Sequence, residues 1–115
     1  MILDTTINTI ADKLECLNID NGIELTARID INTHSKLLRQ YKKANFVYFI
    51  IEGQQVIYVG STTNISTRIS QHKKDKVFSN VLLIKYDTYE NMYFAEKAII
   101  NSFKPVRNKK IYINQ

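Results

Sequence analysis

The stretch FVYFIIEGQQVIYVG at residues 46–60 decides the fold. Residues 46–51 and 56–60 are runs of β-branched and aromatic residues, which favour β-strands. The EGQQ segment between the two runs is typical of a turn. Two strands joined by so short a connection predict an antiparallel hairpin.

On the C-terminal side of this hairpin the pattern changes to helical spacing. The STTN segment at residues 61–64 offers side chains that can cap a helix at about 64–75. Residues 79–86 read as a third strand, and residues 90–103 as a second helix that ends before Pro105. The order β-β-α-β-α predicts an α+β fold, with a three-stranded antiparallel sheet flanked by helices.

The N-terminal side of the hairpin predicts a short helix-strand-helix extension. Residues 2–17 have apolar residues at helical spacing, 22–31 alternate as a half-buried strand, and 33–43 read as a short basic helix. We expect residues 1–44 to pack as an extension on a module at 45–115. The 115 residues then form one globular domain.

Composition narrows the class of protein and its location. Apolar residues make up 44% of the chain, which is enough for a core. The sequence contains no apolar run of 18 residues, so no transmembrane helix is expected. Acidic residues stand at the N-terminus, where a secretory signal would be basic, so a cytoplasmic protein is expected. Cys16 is the single cysteine, which excludes an internal disulfide.

Charge is distributed unevenly along the chain. Residues 1–35 hold two Lys/Arg and six Asp/Glu, whereas residues 36–115 hold fourteen Lys/Arg and five Asp/Glu. A basic segment of this kind attracts polyanions such as nucleic acid. A solvated lysine-rich surface explains the charge equally well.

The predicted hairpin brings two tyrosines together. Tyr48 and Tyr58 are expected on the same sheet face, with Tyr58 sharing the parity of Val56. Aromatic residues on strands usually belong to the core, and a buried phenol also needs a hydrogen-bond partner. Gly60 permits either a positive φ or a close backbone approach where the strand turns toward the helix.

Two predicted helices carry polar residues near their apolar stripes. Arg68 and His72 share a face with Ile65 and Ile69, so a guanidinium on this core-facing edge needs an anionic partner. Glu96 lies within the apolar stripe of the next helix, where a carboxylate must be paired, hydrogen-bonded or metal-bound. An internal salt bridge between the arginine and the glutamate is the structural alternative.

Taken together, these positions resemble the signature of the GIY-YIG nuclease family. In that family two tripeptides lie on adjacent strands, followed by an arginine, a histidine or tyrosine, a glutamate and an asparagine. The resemblance covers roughly residues 45–110. The matching positions in chain order are Val47-Tyr48, Tyr58-Val59-Gly60, Arg68, His72, Glu96 and Asn108.

The resemblance implies a single-metal, Mg²⁺-dependent (or Mn²⁺-dependent) endonuclease with one ion per active site. The predicted catalytic residues are Tyr48, Tyr58, Arg68, His72, Glu96 and Asn108. Glu96 would bind the metal, Arg68 would grip the phosphate, and Tyr48 would activate the water. Tyr58 and His72 would position water or phosphate, with His72 able to share the proton transfer, and Asn108 would orient the last strand or a water.

The expected partner is DNA, most simply double-stranded, bound by a monomer or a homodimer. Lysine and arginine side chains would hold its backbone. The predicted DNA-binding residues are Lys42, Lys43, Lys73, Lys74, Lys104, Arg107, Lys109 and Lys110. The resemblance is to small stand-alone members of the phage or mobile-element type.

One position departs from the family pattern. Phe46 stands where the first tripeptide has glycine, which alters the backbone approach at that strand but removes no chemical group. The alternative function is a catalytically silent nucleic-acid-binding regulator on the same fold. A phosphate-binding adaptor is a third reading, for which no residue speaks. The intact tyrosine, arginine, glutamate and asparagine positions favour the nuclease.

Overall fold

The structure, a computed structural model, describes residues 9, 10, 12, 25–30 and 44–108, with the backbone alone for 25–30. Four strands and two helices are defined in these segments. In chain order they are β1 (Leu25–Asp30), β2 (Asn45–Glu52), β3 (Gln55–Thr62), α1 (Ile65–His72), β4 (Asn80–Tyr86) and α2 (Tyr89–Phe103).

The predicted β-β-α-β-α module is confirmed, and its three strands form an antiparallel sheet. The complete sheet has a fourth strand, because β1 pairs antiparallel with β4 and gives the order β1-β4-β2-β3. The strand predicted at residues 22–31 is therefore found at Leu25–Asp30 and extends the module's sheet. It covers the open edge of β4, whose backbone groups would otherwise lack strand partners.

Strand β2 is central and apolar on both faces. Residues 46–51 are all buried, because β2 lies between β3 and β4 and helices cover both sides of the sheet. A continuous apolar run is what such a doubly covered strand requires. Alternate residues of β2 therefore enter two separate cores. One contains Met92 and Ile99 of α2, and the other contains Ile65 and Ile69 of α1.

A β-bulge in the hairpin sets which residues of β3 face each core. Ile50 pairs with Tyr58 but Ile51 pairs with Val56, so Ile57 is an extra residue. Tyr58 packs against the α1 core and Val56 against the α2 core. The predicted shared face of Tyr48 and Tyr58 is confirmed. The expectation that Tyr58 shares its face with Val56 is wrong, because the bulge breaks the two-residue alternation.

Polar side chains cap both helices; Asn64 belongs to the capping segment predicted from the sequence, whereas Thr88 was not predicted as a cap. Asn64 Oδ1 accepts from the backbone N–H of Thr67 at 3.3 Å, which starts α1. Thr88 Oγ1 accepts from the N–H of Asn91 at 3.1 Å, which starts α2. Helix α1 ends at His72, three residues earlier than predicted. Helix α2 ends at Phe103, as predicted, ahead of Pro105.

Little of the predicted N-terminal extension falls within the described residues. Residues 9, 10 and 12 are helical, and Ile10 packs into the α2 core. The remainder of the helix predicted at 2–17, the helix predicted at 33–43, and Cys16 lie outside the described residues. Within the described segments, neither helix has the length and apolar character needed to cross a bilayer.

Candidate active site

Gly60 lets the ring of Tyr48 lie directly across strand β3. The two residues are register partners on β2 and β3. A Cβ added to Gly60 would meet Tyr48 Oη first and would lie only 2.6 Å from Tyr48 Cζ, far inside van der Waals contact. The φ angle of Gly60 is not positive. Of the two predicted reasons for this glycine, close approach is therefore the operative one.

Tyr48, Tyr58 and His72 form one aromatic cluster on the α1 side of the sheet. Tyr48 Oη lies 2.8 Å from His72 Nε2, and the Tyr58 ring centroid lies 4.5 Å from that of His72. Tyr48 has no exposed surface and His72 is 8% exposed, whereas Tyr58 is half-buried. The fold thus brings together three residues that the sequence separates by up to 24 positions.

Burial sets the protonation of the two innermost groups. The pKa of His72 is lowered from 6.5 to about 4, first by desolvation and then by the charges of Lys76 and Arg68. The pKa of Tyr48 is raised well above its ordinary value, first by desolvation and then by Tyr58, while Arg68 opposes the rise. Both groups are therefore neutral at neutral pH in this structure.

Lys76 completes this cluster and was not among the residues predicted from the sequence. Its Nζ lies 2.9 Å from His72 Nδ1 and 4.8 Å from the centroid of the Tyr58 ring. It also forms a salt bridge with Asp75 at 3.2 Å, and its side chain is only 7% exposed. Spacing offered a signal, because residues four apart around a helical turn can face each other.

Arg68 occupies the solvent side of the cluster. The sequence predicted a core-facing guanidinium, but Arg68 is exposed, and its Nη1 donates to Gln71 Oε1 at 3.3 Å. The structural alternative of an ion pair with Glu96 is not formed within the described residues. Instead, Arg68 lies near enough to Tyr48 for its charge to lower the pKa of that phenol.

Glu96 lies on the other side of the sheet and reaches the end of β3. It is half-buried rather than enclosed in the middle of the apolar stripe, since Met92, Ala95 and Ile99 fill the core beside it. Ser61 Oγ donates to Glu96 Oε1 at 2.7 Å. The sequence predicted Ser61 only as part of the helix-capping segment at residues 61–64. Its position directly after Gly60 is the signal that could have identified it.

The donor set around Glu96 fits one hard divalent cation. Ser61 occupies Oε1, and Oε2 has no partner among the described residues. Within residues 44–108 no group of three His, Cys, Asp or Glu side chains could enclose a metal. A Mg²⁺ ion suits such a place, because it is commonly held by one or two carboxylates while water and substrate phosphate supply its other ligands.

Asn108 joins the segment after α2 to the outer edge of β3. Its Oδ1 accepts from the N–H of Val59 and its Nδ2 donates to the carbonyl of Val59, both at 2.9 Å. The N–H of Arg107 donates to the carbonyl of Ile57 at 2.8 Å. Asn108 thus pairs with β3 as a neighbouring strand would, which holds the backbone between Tyr58 and Gly60 in place.

A basic rim formed by Lys73, Lys74 and Arg107 lies beside the cluster. All three are exposed, and Arg107 Nη2 donates to the carbonyl of Asp75 at 2.9 Å. Lys104 is also exposed and adopts the left-handed conformation (φ 46°) after α2. The other predicted DNA-binding residues, Lys42, Lys43, Lys109 and Lys110, lie outside the described residues.

The six predicted catalytic residues therefore converge around the end of one edge strand. The family model for the GIY-YIG catalytic domain matches residues 44–111, more than half of the chain. This chain belongs to the GIY-YIG family. Its members are nucleases that act on DNA and generally use divalent metal ions, so the match indicates a nuclease-type function at the family level. No curated protein and no solved structure matches the chain.

Phe46, the departure from the GIY-YIG pattern, belongs to the core. It is 2% exposed, pairs with Thr62, and packs in the α1 core two residues from Tyr48. Its side chain fills space beneath the cluster without replacing any of the polar groups in it. The residue therefore alters packing and leaves the polar composition of the GIY-YIG site intact.

Proposed function

We propose that this protein is a metal-dependent endonuclease that hydrolyses DNA phosphodiester bonds with one divalent cation. The observation that carries the proposal is the arrangement around Gly60. Tyr48, hydrogen-bonded to His72, lies on one side of β3, and the carboxylate of Glu96 lies at the end of that strand on the other side. Consecutive strand residues point to opposite faces, so Gly60 and Ser61 link the two halves directly.

Arg68 is the residue that binds the scissile phosphate. It is exposed, it pairs with no carboxylate among the described residues, and its charge acts on Tyr48. A guanidinium offers two parallel donors to phosphate oxygens and offsets charge that develops during hydrolysis. The basic rim next to it extends the positive surface toward flanking phosphates.

Glu96 is the protein ligand of the cation, and Ser61 orients its carboxylate. When bound, the cation would polarise the phosphate and stabilise negative charge on the leaving oxygen. The Ser61 hydrogen bond keeps one carboxylate oxygen occupied and leaves the other without a partner among the described residues. Orienting contacts of this kind commonly affect both metal affinity and activity.

Tyr48 is the residue that activates the water. Its oxygen lies against a ring nitrogen of His72 and near the charge of Arg68, so positive and hydrogen-bonding groups surround it. Tyr48 has no exposed surface in the free protein. Binding of substrate must therefore open a path to the hydroxyl. Catalytic contacts often tighten only in the substrate complex.

His72 has a narrower role than the sequence suggested. Both of its ring nitrogens already have protein partners, Tyr48 at Nε2 and Lys76 at Nδ1. It is thus placed behind Tyr48 rather than against the substrate. Tyr58, half-buried and tilted against the His72 ring, is the tyrosine that solvent reaches and the one placed to orient a water or phosphate oxygen.

A plasmid-nicking assay tests this function. With Mg²⁺ the wild-type protein should convert supercoiled DNA to nicked or linear form, and EDTA should stop the reaction. Glu96→Ala should abolish cleavage, because it removes the carboxylate proposed to bind the cation, while binding to DNA at low salt survives. Cleavage by Glu96→Ala at the wild-type rate would contradict the metal assignment.

The same assay separates the nuclease from a silent DNA-binding regulator. A regulator would bind the plasmid with a salt-dependent affinity and leave it supercoiled at every Mg²⁺ and Mn²⁺ concentration. Sequencing the ends of cleaved DNA would then identify the specificity and the number of strands cut.

A further inference from the structure

Lys76 is a buried cation in direct contact with a buried histidine. Its side chain is 7% exposed, and its Nζ lies 2.9 Å from His72 Nδ1. Asp75 holds the ammonium from the solvent side at 3.2 Å, and the face of the Tyr58 ring lies 4.8 Å away. Lysine side chains are rarely buried unless they are paired, and here Asp75 supplies the opposite charge while His72 Nδ1 lies within hydrogen-bond distance of the same ammonium group.

The contact determines which nitrogen of His72 carries the proton. An ammonium group has three donors and no acceptor, so Nδ1 must accept the hydrogen bond. A neutral imidazole with an acceptor at Nδ1 has its hydrogen on Nε2. Since the pKa of His72 is lowered by burial and by Lys76, the ring stays neutral at neutral pH. Nε2–H then donates to Tyr48 Oη, 2.8 Å away.

We propose that Lys76 is a positioning residue that locks His72 in the Nε2–H tautomer, so that His72 donates a hydrogen bond to the oxygen of Tyr48. The proposal rests on the function proposed above, in which Tyr48 activates the water. It makes His72 a donor to Tyr48, which excludes it as the acceptor of the tyrosine proton.

The direction of this hydrogen bond matters for the phenolate. A donor at Nε2 stabilises negative charge on Tyr48 Oη, whereas a lone pair there would hold the proton on the phenol. Burial, Tyr58 and Glu96 all raise the pKa of Tyr48, and Arg68 lowers it. The hydrogen bond donated by His72, like the charge of Arg68, favours the phenolate form of Tyr48 and so lowers its pKa.

Charge reversal at Lys76 should invert the arrangement. In Lys76→Glu the carboxylate accepts from Nδ1, the proton moves to Nδ1, and the Nε2 lone pair faces Tyr48. Lys76→Arg, which also offers only donors, should preserve the wild-type tautomer. Lys85→Glu makes the same change of charge at an exposed position on β4, which β2 separates from β3.

Nitrogen-15 NMR of the imidazole reads the tautomer directly. The chain has two histidines, and the signals lost in His72→Gln assign His72. We expect a protonated Nε2 and an unprotonated Nδ1 in the wild type, in Lys76→Arg and in Lys85→Glu, and the opposite in Lys76→Glu. A wild-type ring protonated at Nδ1, or a Lys76→Glu ring with the wild-type tautomer, would overturn the proposal.

The pH dependence of kcat supplies the second readout. In Lys76→Glu the rise of kcat with pH should shift upward by roughly one unit, a loss of about tenfold in rate at neutral pH. Lys76→Arg should retain the wild-type profile. A tautomer that inverts without any shift of the profile would overturn the link to Tyr48. If the wild type does not cleave DNA, the proposed function fails, while the spectrum still decides the tautomer.

Discussion

At the residue scale, the site depends on how burial shifts the pKa of an acid, Tyr48, and of a base, His72. Desolvation disfavours the charged form of any group, so it raises the pKa of Tyr48 and lowers that of His72. Tyr48 and His72 are both neutral, so either one can donate the hydrogen bond between them. Lys76 determines the direction, because its ammonium group can only donate to Nδ1 of His72.

The lowered pKa of His72 predicts a loss of stability in mild acid. In the unfolded chain His72 binds a proton near its ordinary pKa of 6.5, whereas in the folded protein it does so only near 4. Stability from this group is therefore complete above pH 6.5 and falls as the pH drops to 4. The loss should amount to about 1–3 kcal/mol.

Urea unfolding of the wild type and His72→Gln at several pH values checks this prediction. The glutamine variant lacks the titrating group, so the difference in unfolding free energy between the two proteins should shrink as the pH falls from 6.5 to 4. A difference that stays constant over this range would show that burial does not oppose protonation of His72.

At the element scale, the β2–β3 hairpin positions both tyrosines. The bulge at Ile57 turns Tyr58 toward the α1 side, and Gly60 leaves room for the Tyr48 ring above the strand. A regular two-residue alternation from Val56 would place Tyr58 on the α2 side of the sheet, away from Tyr48. The same strand then ends in Ser61, which holds Glu96 from the opposite face.

Gly60→Ala should damage this hairpin through a steric clash. The new Cβ would lie 2.6 Å from Tyr48 Cζ, so the ring must move away from the strand and from His72. We expect a loss of about 1–3 kcal/mol in unfolding free energy, together with a fall in cleavage rate.

Gly53→Asn is the matched control for this substitution. Gly53 lies in the turn with φ +62° and has no atom within 4 Å of an added Cβ, so Gly53→Asn introduces backbone strain without a steric clash. Chemical denaturation should show a loss of about 1 kcal/mol or less for Gly53→Asn, and its cleavage rate should stay at the wild-type value. Equal losses for the two variants would contradict the steric account.

At the scale of the whole molecule, the site is assembled from both faces of the sheet. Helix α1 supplies Arg68 and His72 on one face, and α2 supplies Glu96 on the other. They meet where β3 ends, because β3 is the edge strand of the described sheet. Asn108 pairs with the outer side of that strand at Val59, which places the basic Arg107 beside the cluster.

The basic rim should appear in the salt dependence of DNA binding. Removing two phosphate contacts with Lys73→Gln and Lys74→Gln together should reduce the slope of log K against log salt by about 1.8. Lys85→Gln, which removes one charge from β4, should leave the slope nearly unchanged. A fluorescence-anisotropy titration at salt concentrations from about 50 to about 200 mM measures the slopes.

An unchanged slope in the double variant would place the DNA elsewhere on the surface. The wild-type affinity must be measured with Ca²⁺ or without metal, so that cleavage does not consume the probe during the titration.

The linear sequence determined the module order and the approximate helix starts, and it supplied the candidate site residues. Strand and helix periods are local properties, and Asn64 and Thr88 cap helices through residues only three positions away. The family resemblance likewise rested on ordered spacing along the chain, and the match to residues 44–111 confirms it.

Only the tertiary structure decided how these groups meet. The bulge at Ile57, the exposure of Arg68 and the Ser61–Glu96 contact depend on pairing between distant segments, which local periodicity does not encode. The contact of Lys76 with His72 is local, only four residues along the chain, but a lysine after a helix reads as solvent-exposed, and its burial also depends on Tyr58 from a separate strand. The residues that the spacing suggested as a nuclease site thus lie around the end of β3. There desolvation and one buried ammonium group set the hydrogen bond between His72 and Tyr48.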